Sequence, residues 1–270
     1  MTLVLLDIDG TLIGPDGDVS DAVWEAATAL RDEGARLAVC TGRTHAGVAL
    51  RIAERLDAEA PHIFHNGALV CTAGRRVLSS TPLSKVSLRH LVDHARKLGA
   101  TLELYTTSTI FVDEITPECA THADVLDIAP VERDLDEVIE VEEVIRAHWI
   151  VDRDTIDDAL ALELDDASVS TATSPALPDS VFASVTEKST DKGTGAVFAA
   201  RHLGVELEDV VGVGDSEGDI PLLEAVGHPF AMGDGHSALA ERFRTLGSVE
   251  SDGVLEALDY ARDLTRRAHS

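Results

Sequence analysis

The sequence predicts an α/β fold, a doubly wound parallel sheet with a second, α+β unit inserted into it. Three observations carry this. Short apolar runs of the kind buried on both faces of a parallel sheet recur at Leu3–Leu6, Arg36–Cys40 and Asp209–Val213. Between them lie stretches with helical spacing of apolar residues, the alternation of a doubly wound sheet. That alternation breaks off at Pro82 and resumes near Thr190.

The first run ends in Asp7-Ile8-Asp9-Gly10-Thr11. Asp16-Gly17-Asp18 reads as a loop, and Ser20 caps a helix whose Val23, Ala26, Ala27 and Leu30 share one face and which Gly34 closes. Arg36–Cys40 runs into Thr41-Gly42-Arg43, and the spacing of Val48, Ala49, Ile52, Ala53 and Leu56 predicts a helix over 44–57. A strand at 62–64 leads to Asn66-Gly67-Ala68, and 69–71 with 75–78 form a hairpin turned at Ala73-Gly74.

From Pro82 the grammar changes. A helix over 84–98, stopped by Gly99, precedes strands at 101–105 and 109–112, and Thr116-Pro117-Glu118 starts another helix. An acidic stretch without clear periodicity follows. Beyond it come a strand near 144–151, a helix near 155–164, and strands near 167–173 and 181–185 with Pro175 and Pro178 in the turn. The core pattern then returns: a helix over 190–203 carrying Lys192 in its first turn, the strand 209–213 ending in Gly214-Asp215-Ser216-Glu217-Gly218-Asp219, a helix over 220–226, a strand over 229–232, and a last helix ending near Arg266. The expected organisation is a core of residues 1–81 and 187–270, with 82–186 as the inserted unit.

Composition narrows the function. With 44% hydrophobic residues the chain folds around a substantial core, and no stretch has the apolar length of a membrane span. The N-terminus enters a strand at once, which predicts a cytoplasmic protein. Lys and Arg number 22 against 49 Asp and Glu, a net charge of −27 that argues against nucleic acid or an anionic membrane as partner. The acids are spread along the chain, and the pattern resembles halophilic proteins whose solvated acidic surfaces are screened by salt. Cys40, Cys71 and Cys119 stand far apart without metal-type spacing. Nothing in the sequence sets an oligomeric state.

Four strands end in candidate site residues, and in open α/β sheets ligands bind at the carboxyl ends of strands. Alternate residues of an extended chain point the same way, so Asp7 and Asp9 begin on one face, two like charges in need of a cation. Mg²⁺ suits them, since it takes one or two carboxylates together with water and phosphate oxygen. Phosphoryl transfer accounts for the remaining residue types, because spread negative charge must meet cations, hydrogen-bond donors and an in-line nucleophile. Asp7 is the expected nucleophile, Asp9 the acid and base, and Thr41 with the following Gly42 and Arg43 a phosphate-binding segment. Asn66 also faces substrate, Lys192 supplies a cation, and Asp215 and Asp219 complete the metal site.

Taken singly, each residue has an ordinary explanation. Acidic pairs are common on an acidic surface, Thr41 alone is a turn residue, and Lys192 alone is a solvated lysine with Lys188 as its rival. His65 reads as a hydrogen-bonded structural residue. Gly212-Val213-Gly214 lacks the third glycine of a dinucleotide loop, Glu217 standing in its place. The convergence of the four strand ends, rather than any one motif, makes the case.

In this order and spacing the motifs resemble the haloacid dehalogenase (HAD) superfamily. More narrowly they resemble its Cof-type branch, which includes sucrose-phosphate and archaeal phosphoglycolate phosphatases. Asp7-Ile8-Asp9-Gly10-Thr11 matches the first motif, Thr41-Gly42-Arg43 the second, Lys192 the third and Gly214-Asp215 through Asp219 the fourth. Asn66-Gly67-Ala68 and Ala231-Met232-Gly233 are also typical of that branch. The resemblance implies a Rossmann-like core with a substrate-selecting cap of the C2 type. It further implies a Mg²⁺-dependent phosphatase acting on a small phosphorylated metabolite, a sugar phosphate or phosphoglycolate, through an aspartyl-phosphate. It also implies that Asp9 meets the metal through its backbone carbonyl. Two positions depart from the branch: Gly218 replaces the usual Asn, and Gly235 replaces a frequent Ala, a change expected to be harmless. A phosphomutase of the same fold and a non-catalytic metabolite-binding module are the alternatives. The second motif speaks against the first, and the presence of both Asp7 and Asp9 against the second.

Overall fold

The computed structural model describes residues 1–15, 17–174 and 176–268. Asp16 and Pro175, expected in a loop and a turn, lie outside the described residues. The chain divides into two compact units, one of Met1–His45, Ala49–Ser79 and Asp191–Ser270, the other of Ala46–Val48 and Ser80–Thr190.

The first unit opens with β1 (Leu3–Leu6), α1 (Asp21–Asp32), β2 (Arg36–Val39), α2 (Gly47–Asp57), β3 (His62–Phe64), β4 (Leu69–Cys71) and β5 (Val77–Ser80). The second contains α3 (Lys85–Leu98), β6 (Thr101–Tyr105), β7 (Ile110–Val112), α4 (Pro117–Leu126), β8 (Val131–Glu132), α5 (Leu135–Val141), β9 (Arg146–Asp152), α6 (Ile156–Leu160), β10 (Ala167–Ser174) and β11 (Leu177–Glu187). The chain then completes the first unit with α7 (Lys192–Leu203), β12 (Val210–Gly214), α8 (Ile220–Ala225), β13 (His228–Ala231), α9 (Ser237–Ala240), β14 (Arg244–Thr245) and α10 (Val254–Ala268).

In the first unit the sheet order is β14-β13-β12-β1-β2, all parallel, with Leu3 aligned to Val210 on one side and Arg36 on the other. All four β1 residues are fully buried, as a central parallel strand requires. β3, β4 and β5 form a small sheet of their own, β3 antiparallel to β4, joined to the end of β2 by a parallel bridge between Cys40 and Ile63. The carboxyl ends of β1, β2, β3 and β12 therefore come together, although β12 lies about 200 residues after β1 in the chain.

The second unit is a six-stranded sheet, β10-β11-β9-β6-β7-β8. One face packs on Leu88, Leu91, Val92 and Ala95 of α3 and on Leu135, Val138 and Ile139 of α5. Each buried Leu or Val there contributes roughly 1.5–3 kcal/mol. Ser84 caps α3 through the Ser87 amide at 3.1 Å, and Gly99, at φ +63°, ends it.

Three expectations need correction. The helix read over 44–57 starts only at Gly47, because residues 41–46 form a loop whose backbone bonds go to the end of β3. The helix read over 155–164 shrinks to α6 after one 3₁₀ turn. The acidic stretch holds the rest of α4 and all of α5, whose apolar contacts lie across the sheet rather than in a local pattern.

Candidate active site

β1 hands its pairing on to Asp7, whose amide donates to the Val213 carbonyl at 3.0 Å and so seats the residue at the end of the sheet. The chain then leaves the extended form. The Ile8 carbonyl accepts from the amides of Leu12 and Ile13, both at 2.9 Å, which folds residues 8–13 into a tight loop. Gly10 makes that loop possible: its φ is +73°, and a Cβ there would lie 2.3 Å from Asp215 Oδ2. Asp7 and Asp9 consequently part. The Asp7 side chain is buried, whereas that of Asp9 is 58% exposed and paired with Arg43 through two bonds, of 2.7 and 2.6 Å. The shared face expected of the two carboxylates is lost at the turn.

Lys192 occupies the first turn of α7. Asp191 caps that helix with a reciprocal pair: its carboxylate accepts from the Thr194 amide at 2.7 Å, and Thr194 Oγ1 accepts from the Asp191 amide at 3.0 Å. From this fixed start Lys192 Nζ reaches Asp7 Oδ1 at 2.7 Å and Asp219 Oδ1 at 2.5 Å, all three side chains buried. Lys188, the rival in sequence, lies in the other unit and donates to the Asp165 carbonyl.

Asp219 uses its second oxygen to accept from the Asp215 amide (3.1 Å), the Ser216 amide (2.9 Å) and Ser216 Oγ (2.8 Å). It thereby ties the loop after β12 to Lys192. Gly218 is exposed, and a Cβ there would meet only Ser216 Oγ at 3.5 Å, so the missing Asn side chain leaves these bonds intact. Gly235 is not neutral: a Cβ there would lie 2.5 Å from the Asp215 carbonyl, which also accepts from the His236 amide at 2.7 Å. The fourth-motif backbone is packed against that glycine.

One ligand atom each from Asp7, Asp215 and Asp219 lie within 4.8 Å of one another. Burial and the neighbouring Asp219 raise Asp215 to about 6. Burial, together with Asp219 and Asp215, raises Asp7 to about 8 against the pull of Lys192. Lys192 is held protonated, the attraction of Asp7 and Asp219 outweighing burial. Asp215 Oδ1 is buried without a hydrogen-bond partner among the described residues. Three converging oxygen donors, mutual repulsion and an orphaned carboxylate oxygen fit a hard divalent cation such as Mg²⁺.

Thr41 is buried, and its Oγ1 accepts from the Arg43 amide at 3.2 Å. Asn66 sits beside the second motif: a Cβ on Gly42 would meet its Oδ1 at 2.8 Å. Thr44, not singled out in the sequence, buries a hydroxyl without a hydrogen-bond partner among the described residues. Its position directly after Thr41-Gly42-Arg43 is the signal that could have marked it.

A second group of possible ligands, Glu103, His122 and His148, is buried in the other unit. Tyr105 donates to Glu103 at 2.5 Å, and His122 Nδ1 lies 2.9 Å from the same carboxylate. Arg146 Nη2 faces His148 Nε2 at 3.3 Å, and a guanidinium only donates. The proton of neutral His148 therefore sits on Nδ1, so neither of its ring nitrogens is an open metal donor, and the Glu103 carboxylate is already engaged by Tyr105 and His122.

A buried lysine among three carboxylates at the carboxyl ends of a doubly wound parallel sheet is an arrangement that suits phosphoryl transfer. A sequence profile of the haloacid dehalogenase-like hydrolases matches residues 4–258, and the chain belongs to that family. It is 23% identical over 282 residues to 5-amino-6-(5-phospho-D-ribitylamino)uracil phosphatase of Bacillus subtilis, covering 96% of this chain and 97% of the relative. It is 27% identical over 227 residues to the phosphoglycolate phosphatase of Methanopyrus kandleri, covering 84% and 82%. In structure it resembles a HAD-superfamily phosphatase from Bacteroides thetaiotaomicron, with a TM-score of 0.79 at 24% identity over 98% of this chain and 96% of the other. The protein is a phosphatase of the HAD superfamily, Cof type.

Proposed function

We propose that the protein is a Mg²⁺-dependent phosphomonoesterase that hydrolyses a small phosphorylated metabolite, a sugar phosphate or phosphoglycolate, through an aspartyl-phosphate on Asp7. The observation that carries this reading is the buried Asp7–Lys192–Asp219 chain beside Asp215, at the point where four strand ends meet. Relatives matched over most of their length carry the names of different phosphorylated compounds, which supports the reaction class, and selection of the leaving group is proposed to fall to the inserted residues 82–186.

In the first step an Asp7 oxygen bonds to phosphorus as the ester P–O bond breaks, and the departing alkoxide takes a proton from Asp9. In the second, Asp9 takes a proton from water, whose oxygen bonds to phosphorus while the Asp7–phosphate bond breaks. Lys192 keeps one Asp7 oxygen in place and lowers the cost of its charge, and Thr41, Gly42, Arg43 and Asn66 receive the phosphoryl oxygens. One of the two Arg43 bonds keeps Asp9 in place while its other oxygen turns to the substrate oxygen at each turnover. Asp7, Asp215 and the Asp9 carbonyl would hold Mg²⁺, which would offset the negative charge of Asp7 and the phosphate. Asp219, whose Oδ2 accepts three bonds and whose Oδ1 accepts from Lys192, supports the metal site directly or through water.

The test is phosphate release from a panel of sugar phosphates and phosphoglycolate, with Mg²⁺ at high salt. Release from at least one substrate that stops with chelator and in Asp7→Asn is expected. Equal release by Asp7→Asn contradicts the mechanism, and no release from any substrate favours a binding module.

A further inference from the structure

Where β3 ends, the chain takes three successive left-handed residues: His65 at φ +52°, Asn66 at +54° and Gly67 at +99°. Gly67 is forced, since a Cβ there would lie 2.1 Å from the Asp191 carbonyl. His65 is not an obvious choice, because an L side chain rarely adopts this backbone and the imidazole is only 1% exposed. Its ring meets that of His45, also buried, with Nε2 of His65 3.3 Å from Nδ1 of His45 and the planes at 60°. One ring donates and the other accepts.

The two histidines belong to the two segments that carry the second motif and Asn66. Those segments are also stitched through the backbone: the Thr41 amide to the Ile63 carbonyl at 2.9 Å, the His65 amide to the Arg43 carbonyl at 3.0 Å, and the Asn66 amide to the Thr41 carbonyl at 3.1 Å. The imidazole pair closes the open end of this seam, two residues past Arg43. Arg43 in turn grips the Asp9 carboxylate with two bonds.

We propose that His45 and His65 are positioning residues for phosphoryl transfer, their side-chain bond fixing the Arg43 loop so that Asp9 is presented at the right place. This rests on the phosphatase reading above. Neither histidine touches the reacting atoms; both act through Arg43.

The test uses the full chain with Mg²⁺ at high salt and p-nitrophenyl phosphate as probe. His65→Gly removes the ring and at the same time suits the left-handed backbone, so a purely structural role predicts unchanged turnover. The expected result is a folded protein with a moderately lowered melting temperature, from the lost buried ring, and with kcat reduced roughly tenfold or more, the scale of a misplaced catalytic group. KM changes less than kcat. In an Arg43→Ala background His65→Gly should cause no further loss. Retained kcat in folded His65→Gly overturns the proposal, as does a full additional loss in the Arg43→Ala background. Should His65→Gly fail to fold, His45→Phe, at a position of ordinary backbone, decides by the same two readings. Turnover by the wild type with unaffected variants overturns the positioning role alone, whereas absence of any wild-type turnover overturns the phosphatase reading and this assignment with it.

Discussion

At the scale of single residues, two carboxylate–cation pairs in the same site differ in kind. Lys192 is buried between Asp7 and Asp219, so Lys192→Met leaves two uncompensated buried acids and should cost about 3–5 kcal/mol in urea unfolding of the metal-free protein, besides abolishing turnover. Arg43 and Asp9 pair in contact with water, where ion pairs contribute about 0–1 kcal/mol. Arg43→Ala should therefore leave the melting temperature nearly unchanged while lowering kcat, and a large loss of stability would contradict this division. Asp7 and Lys192 were legible in the sequence because each lies next to a strong local signal, an apolar strand and a helix start. The separation of Asp9 from Asp7 was not, since it follows from bonds to the Ile8 carbonyl that form only when the loop closes.

At the scale of elements, α7 shows how a helix start becomes part of a site. The Asp191–Thr194 cap sets the first turn, and Lys192 occupies it. Asp191→Ala should lose about 1 kcal/mol of stability and, by loosening that turn, also lower kcat. If stability falls and kcat does not, Lys192 is held by its buried partners alone. The helix starts of both units could be read because each helix carries its own period and its own cap, as with Ser20 in the first unit and Ser84 and Thr116 in the second. The start of α2 and the helix α5 could not. The loop at 41–46 is fixed by bonds to residues 63–66, and Leu135, Val138 and Ile139 find their partners on distant strands.

At the scale of the whole molecule, acid should unfold the protein through its buried neutral histidines. His62 Nδ1 accepts from the Val39 amide at 3.2 Å and its Nε2 lies 2.9 Å from the Asp57 carbonyl, so the ring is held neutral. Burial lowers its pKa to about 4, and His148, buried and facing Arg146, falls to about 3. The unfolded chain binds these protons near pH 6.5, so the stabilisation is present above that value and lost as pH falls toward 4 and 3. For His62 alone the loss between pH 6.5 and 5 is about 2 kcal/mol. His62→Gln should show a shallower decline of urea-unfolding free energy over this window, measured at high salt so that charge repulsion is screened. An unchanged slope would show that His62 ionises as freely in the folded state.

The central claim, a phosphoryl group carried on Asp7, is tested most directly by acid-quenching the enzyme with Mg²⁺ and ³²P-labelled acetyl phosphate and mapping the label. The account predicts acid-stable, hydroxylamine-labile label on the peptide containing Asp7, absent from Asp7→Asn. Turnover of the same substrate with no label on the chain, and undiminished in Asp7→Asn, would contradict it.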